Sequence, residues 1–128
     1  MIVDASALVA IALQDAPAAA LAEKLRVAEV KGIGTPTLVE TGIVLTAKIG
    51  DEAKALLAEL LERFDIRAVT FTERHWREAF GAFLRYGKGR HPARLNYGDC
   101  LTYAVARLAD LPLLCTGDDF GRTDLEIA

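Results

Sequence analysis

The chain has 128 residues, 52% hydrophobic and 26% charged, with a formal net charge of -3 at pH 7. That hydrophobic share excludes a disordered chain, and one domain of this length buries roughly two-thirds of its unfolded surface. The acidic balance argues against coating nucleic acid by bulk charge, though not against a local basic patch, and two cysteines in neither metal-knuckle nor redox spacing leave a disulfide framework or zinc site unsupported.

Ile2 and Val3 read as a short buried strand, followed by a helix over Ala5 to Leu13. That apolar run is too short to span a bilayer and no basic segment precedes it, so secretion and membrane insertion are unsupported, and the sparse cysteines make a reducing cytosol the expected location. Asp15 as N-cap with Pro17 in the first turn predicts a second helix to about Val30, with Leu21 and Leu25 on one face. Gly32 and Gly34 end it, and Ile33 between them reads as a short strand. Thr35-Pro36 opens a third helix to Gly50, expected to be mostly buried through Leu38, Val39, Ile43, Val44 and Leu45, with Glu40 the exception. Asp51 is expected to cap a fourth helix carrying Leu56, Leu57, Leu60 and Leu61, ahead of a strand through Ile66, Ala68, Val69 and Phe71.

Thr72 begins a fifth helix whose Trp76, Phe80 and Phe83 follow a 3.6-residue period, as core or dimer contacts would. Residues 87 to 95 break all periodicity and hold Lys88, Arg90, His91 and Arg94 without an acid. Such guanidinium and ammonium groups suit phosphates, His91 less so, and the plain alternative is a solvated turn. His75 and His91 are both expected to be solvated. Asn96-Tyr97-Gly98-Asp99 leads into a sixth helix through Ala109, Leu113 to Cys115 forms a buried strand, and Leu125 to Ile127 adds an edge strand. Short apolar strands alternating with helices predict an α/β fold, a three-layer α/β/α sandwich around a parallel sheet of four or five strands, with residues 1–128 as one domain.

Carboxylates at strand ends or helix starts stand out: Asp4, Glu40, Asp99 and the pair Asp118 and Asp119. The ends of parallel strands share one edge, so these acids can meet there. Two carboxylates at roughly 4 Å repel by about 4 kcal/mol at an effective dielectric of about 20. Either some are protonated or a hard cation such as Mg²⁺ or Mn²⁺ sits among them. Each acid also has a plain reading: Asp4 as helix cap, Thr37 with Glu40 as a capping box, Asn96 with Asp99 as a helix start, Asp118 and Asp119 as turn residues. Capping does not explain Glu40 among apolar neighbours, because a buried glutamate needs a partner.

Ile-Val-Asp-Ala-Ser-Ala-Leu at 2 to 8, Thr-Leu-Val-Glu-Thr at 37 to 41, Leu-Asn-Tyr-Gly-Asp-Cys at 95 to 100 and Leu-Leu-Cys-Thr-Gly-Asp-Asp-Phe at 113 to 120 together resemble a PIN-domain ribonuclease of the VapC toxin type. The resemblance spans essentially the whole chain. It implies a metal-dependent endoribonuclease, using Mg²⁺ or Mn²⁺, whose acidic quartet maps onto Asp4, Glu40, Asp99 and the Asp118-Asp119 pair, leaving 5′-phosphate products. Asp118 is favoured as the strand-end residue, with Asp119 in the pocket too, and which of them faces the metal stays open. Ser6 and Thr116 match family positions that hold water or ligands, and Asn96 either joins them or caps its helix. The resemblance also implies an RNA substrate, a homodimer, and a VapB-like antitoxin whose segment wraps the toxin and inserts an arginine among the acids.

Two alternatives compete: a non-catalytic nucleic-acid-binding module of the same fold, which predicts a lost acid, and an α/β phosphatase with an acidic pocket. A haloacid-dehalogenase phosphatase needs Asp-x-Asp at the first strand, where Ser6 stands instead. A receiver domain, P-loop, Rossmann glycine set and serine-histidine triad each lack their residues.

Overall fold

The structure, a computed structural model, describes residues 1–128. Four very short strands, β1 (Ile2–Val3), β2 (Gly32–Gly34), β3 (Arg67–Val69) and β4 (Leu113–Leu114), are joined by helices α1 (Ala5–Ala12), α2 (Ala18–Val27), α3 (Thr35–Ile49), α4 (Ala53–Arg63), α5 (Glu73–Tyr86) and α6 (Tyr97–Ala109). All pairings are parallel, in the order β3-β2-β1-β4. The chain thus steps outward from β1 to β3, then returns to the far side of β1 with β4. Strand order reverses at β1, and open sheets bind ligands in the crevice beyond the carboxyl ends at such a point.

Side chains alternate across the sheet. Ile2 and Leu113 point into one core, with Ala79 and Ala82 of α5 and Tyr103, Ala104 and Val105 of α6. Val3, Ile33 and Leu114 point into the other, with Leu8 and Ile11 of α1, Leu21 and Leu25 of α2, and Leu60 of α4. Helices therefore cover both faces, giving the expected three layers. α6 lies close on β2: a Cβ at Gly34 would come within 2.8 Å of Val105 Cγ2, so only glycine admits that approach.

Several local expectations give way. α2 ends at Val27 rather than near Val30, and its N-cap position is Pro17. Asp15 contributes its carbonyl oxygen, which accepts the Ala18 N–H at 2.9 Å. Asp51 sits in a 3₁₀ turn at Gly50–Glu52, and α4 starts after it with no side-chain cap. The third strand is shorter than expected and largely exposed, since it forms the sheet edge. The expected edge strand near the chain end contracts to one parallel bridge between Leu113 and Ile127.

Two apolar runs are also misplaced by sequence reasoning. Val39 and Ile43 are 63% and 66% exposed, while α3 buries Thr37, Thr41 and Leu45. The helix packs on α1, α4 and α6 through a threonine face, which can be buried because Thr41 Oγ1 donates to the Thr37 carbonyl at 2.7 Å. On α5 the small residues Ala79 and Ala82 make the core contact, so the helix draws in close and Trp76, Phe80 and Phe83 stay at the rim, not in the core. No helix is long and apolar enough to cross a membrane. Both cysteines are free, Cys100 buried and Cys115 partly so.

Candidate active site

Asp4 follows β1 at the point where the strand order reverses, and it is only 6% exposed. It does cap α1: Oδ2 accepts the Ser6 N–H at 3.0 Å. The same oxygen accepts the Ser6 hydroxyl at 2.6 Å, and Oδ1 accepts the Thr102 hydroxyl at 2.8 Å. Because Thr102 gives its one proton to Asp4, Thr37 Oγ1, 3.2 Å away, must donate to Thr102 Oγ1. On the other side Ser6 Oγ accepts the Thr116 N–H at 3.0 Å, tying the carboxylate to the end of β4. Asp4 is therefore oriented from three elements, α1, α6 and the loop after β4.

Asn96 and Asp99 form a reciprocal capping box on α6. Asn96 Oδ1 accepts the Asp99 N–H at 2.9 Å, and Asp99 Oδ2 accepts the Asn96 N–H at 3.0 Å. The plain reading of this pair is thus correct, yet it uses only Oδ2 of Asp99. The capping-box reading of Thr37 with Glu40 fails, because α3 begins at Thr35, two residues before Thr37. Glu40 instead lies against the first turn of α6, where a Cβ at Gly98 would stand 2.1 Å from its Oε1. It is partly buried, with exposed Val39 and Ile43 beside it, so its surroundings are less apolar than the sequence implied.

These acids share one field. Burial pushes the Glu40 carboxyl above the usual range, and the charges of Asp4 and Asp99 push it further. Burial raises Asp99 as well; the Asn96 N–H opposes that shift, and Asp4 and Asp119 add to it. Of the Asp118-Asp119 pair, Asp119 is the one whose charge adds to the Asp99 shift. Both sit on an exposed turn pinned by buried Phe120. Cys115, next to β4, has its thiol pushed up to about 11 by burial and by Asp4 and Asp99, so it stays protonated at the edge of the cluster.

No three of the acids, histidines or cysteines are gathered into a ready-made ligand cage. The donors that share the field are nevertheless carboxylate oxygens, with no histidine and an inert thiol. That chemistry fits a hard divalent cation, which would relieve the repulsion raising Glu40 and Asp99.

The basic loop closes on itself through a bridge between Gly87 and Leu95. Arg90 Nε donates to the Leu84 carbonyl at 3.0 Å, and His91 Nδ1 accepts the Ala93 N–H at 3.0 Å with its ring edge-on to Tyr86. His75 Nδ1 accepts the Thr72 N–H at 3.0 Å at the start of α5. Neither histidine is freely solvated, since each spends a nitrogen on holding backbone. Lys88 and Arg94 are exposed, and the loop runs directly into Asn96 and Asp99.

Three contributors escaped sequence reasoning: Thr102, Gly98 and Cys115. The available signal for Thr102 was a hydroxyl one turn after Asp99, on the same face of an otherwise apolar helix. Beyond the acids, Phe71, Trp76, Phe80, Phe83, Tyr97 and Leu101 line an open apolar groove between α5 and α6.

A family model described as the PIN domain matches residues 1–125. The chain is 46% identical over 127 residues to Ribonuclease VapC36 of Mycobacterium tuberculosis, covering 98% of this chain and 91% of that protein. It is 40% identical over 126 residues to Ribonuclease VapC of Mycolicibacterium smegmatis, covering 98% and 97%. The solved structure of Mycobacterium tuberculosis VapC20, described as a Sarcin-Ricin loop cleaving toxin, superposes with a TM-score of 0.81 over 99% of this chain and 97% of that one. At 19% identity that likeness speaks for the fold alone.

Proposed function

Since the chain belongs to the PIN-domain family of VapC ribonucleases, we propose that it is a divalent-metal-dependent endoribonuclease acting as the toxin of a toxin-antitoxin pair, on transfer, ribosomal or messenger RNA. The observation that carries this reading is the shared field of Asp4, Glu40 and Asp99 at the reversal of strand order. Acids that repel one another there suit a cation and, through it, a phosphodiester.

In this reading Asp4, Glu40, Asp99 and one of the Asp118-Asp119 pair would hold Mg²⁺ or Mn²⁺. When bound, the ion supplies an activated water and a positive charge for phosphate oxygens. Ser6 and Thr102 lock Asp4 through both oxygens, the Thr116 N–H fixes Ser6, and Asn96 holds Asp99. Lys88 and Arg94 bind RNA phosphates beside the acidic edge, while Arg90 and His91 keep the loop in shape.

A VapB-like antitoxin would neutralise the toxin, and a homodimer is the expected assembly. The exposed groove of Trp76, Phe80, Phe83 and Tyr97 suits an apolar antitoxin segment. The test is incubation with total RNA, with Mg²⁺ or Mn²⁺ and with chelator, followed by mapping of the cut ends. Discrete cuts bearing 5′-phosphates and abolished by chelation are expected; cutting that persists in chelator, or none with metal, defeats the reading.

A further inference from the structure

Glu40 and Gly98 lie on different helices, yet the Glu40 carboxylate rests on the Gly98 backbone. A Cβ built at Gly98 would stand 2.1 Å from Glu40 Oε1, 3.1 Å from Cδ and 3.3 Å from Oε2, and these are its three nearest neighbours. Space at position 98 is therefore closed by Glu40 and by nothing nearer.

The helix itself does not ask for glycine. Gly98 is the second residue of α6 and is absent from the glycines with positive φ, which are Gly50, Gly89 and Gly117. Alanine would serve α6 better, because glycine gives up more backbone freedom than alanine on entering a helix. Local propensity and the residue present thus disagree, and the Glu40 contact accounts for the disagreement. The first turn of a helix also favours a carboxylate, since its unpaired N–H groups carry partial positive charge.

We propose that Gly98 is a positioning residue for Glu40, an inference resting on the reading of Glu40 as an active-site acid: the missing side chain leaves a seat on the first turn of α6 that holds the carboxylate in the field of Asp4 and Asp99. The carboxyl is the far end of a flexible side chain, so an added methyl turns it out of the seat without breaking the fold. Thr37 ties α3 to α6 independently of Glu40, through its buried contact with Thr102 at 3.2 Å.

The test is a double-mutant cycle on the full chain with Gly98→Ala, Glu40→Ala and both, read by metal-free thermal unfolding, Mn²⁺ affinity without RNA, and single-turnover RNA cleavage. Gly98→Ala is expected to keep or raise the unfolding midpoint in both backgrounds. It should weaken Mn²⁺ binding and cleavage by about tenfold to a hundredfold in the natural background and add nothing once Glu40 is alanine. Three outcomes overturn the inference while leaving the function standing: Gly98→Ala as active as the parent while Glu40→Ala is impaired; equal losses in both backgrounds; or a lower midpoint in the Glu40→Ala background, where the methyl would be meeting something else. Full Mn²⁺ binding and cleavage by Glu40→Ala would instead remove the reading of Glu40 itself, and the inference with it.

Discussion

The first turn of α6 divides two regions that the chain treats in opposite ways. On one side, Gly98 meets Glu40 and Asp99 lies in the field of Asp4, which alone accepts three hydrogen bonds. On the other, Tyr97 is 82% exposed and Trp76, Phe80 and Phe83 are 48%, 57% and 38% exposed around an open groove. Residues one position apart thus belong to a surface completed within the chain and to one that is not. Reaction geometry needs preorganisation, which internal hydrogen bonds supply, while an open apolar face gains its stabilisation only when something covers it.

The strongest way to break this contrast is Asp99→Asn. The amide oxygen of asparagine can still accept the Asn96 N–H, so the unfolding midpoint should hold, while cleavage falls by more than about a hundredfold. Undiminished cleavage in a metal-supplied RNA assay would take Asp99 out of the site. Next in size is Phe80→Asp, on the open side. It should leave cleavage unchanged and weaken antitoxin binding by about 2 kcal/mol or more, as removing an aromatic anchor does, measured by titrating neutralisation. Unchanged neutralisation would mean that the groove is not the antitoxin's seat.

Asp4→Asn separates structure from chemistry on the closed side. Two donors reach Oδ2 and one reaches Oδ1, so an amide must turn its NH₂ toward a donor whichever way it sits. The cost should be about 1–3 kcal/mol in denaturant unfolding, on top of lost cleavage. A variant as stable as the parent would show that the network adds nothing to the fold.

The closed side was partly legible in the sequence because its residues announce themselves twice. Asp4 and Asp99 are acids at helix starts, where a carboxylate is informative whether it caps or binds, and in the structure Asp4 caps α1 while Asp99 completes the capping box that Asn96 opens on α6. Strand and helix order was legible from apolar runs punctuated by Gly32, Gly34 and Pro112. The face that α3 or α5 buries was not, because it depends on which neighbour comes closest. Thr37 and Thr41 go inside since their hydroxyls find acceptors, and Ala79 and Ala82 go inside since they let α5 approach α6. Gly98 was invisible for a related reason: its value lies in space that another helix's side chain occupies.

A smaller effect concerns the loop before α6. Replacing Lys88 and Arg94 together by alanine should flatten the salt dependence of RNA binding by about 0.7 in log-log slope per lost phosphate contact. The fold should be spared, because the loop's own bonds run through Arg90, His91 and backbone. An unchanged slope would remove the loop from the RNA path.

The smallest effect lies in pH. Glu40 and Asp99 both have carboxyls raised above their ordinary values of 4.5 and 3.8, burial being the first cause of each. A group raised in the folded state binds its proton more tightly there than in the unfolded chain. Its contribution to stability is therefore present below the ordinary value and lost as pH rises through the raised one. Metal-free protein should lose stability across that window, and Glu40→Gln should flatten the loss by removing a carboxyl that must otherwise ionise beside Asp4 and Asp99. Both groups are partly exposed, so water screens the effect and keeps it small. Added Mg²⁺ should act in the opposite sense, stabilising the parent most at the top of the window, where both carboxylates are ionised and the cation relieves their repulsion. Unfolding curves in chelator and in Mg²⁺ across the carboxylate range decide the matter: a parent and a Glu40→Gln variant with parallel profiles would mean that neither burial nor the other acids raise the Glu40 carboxyl.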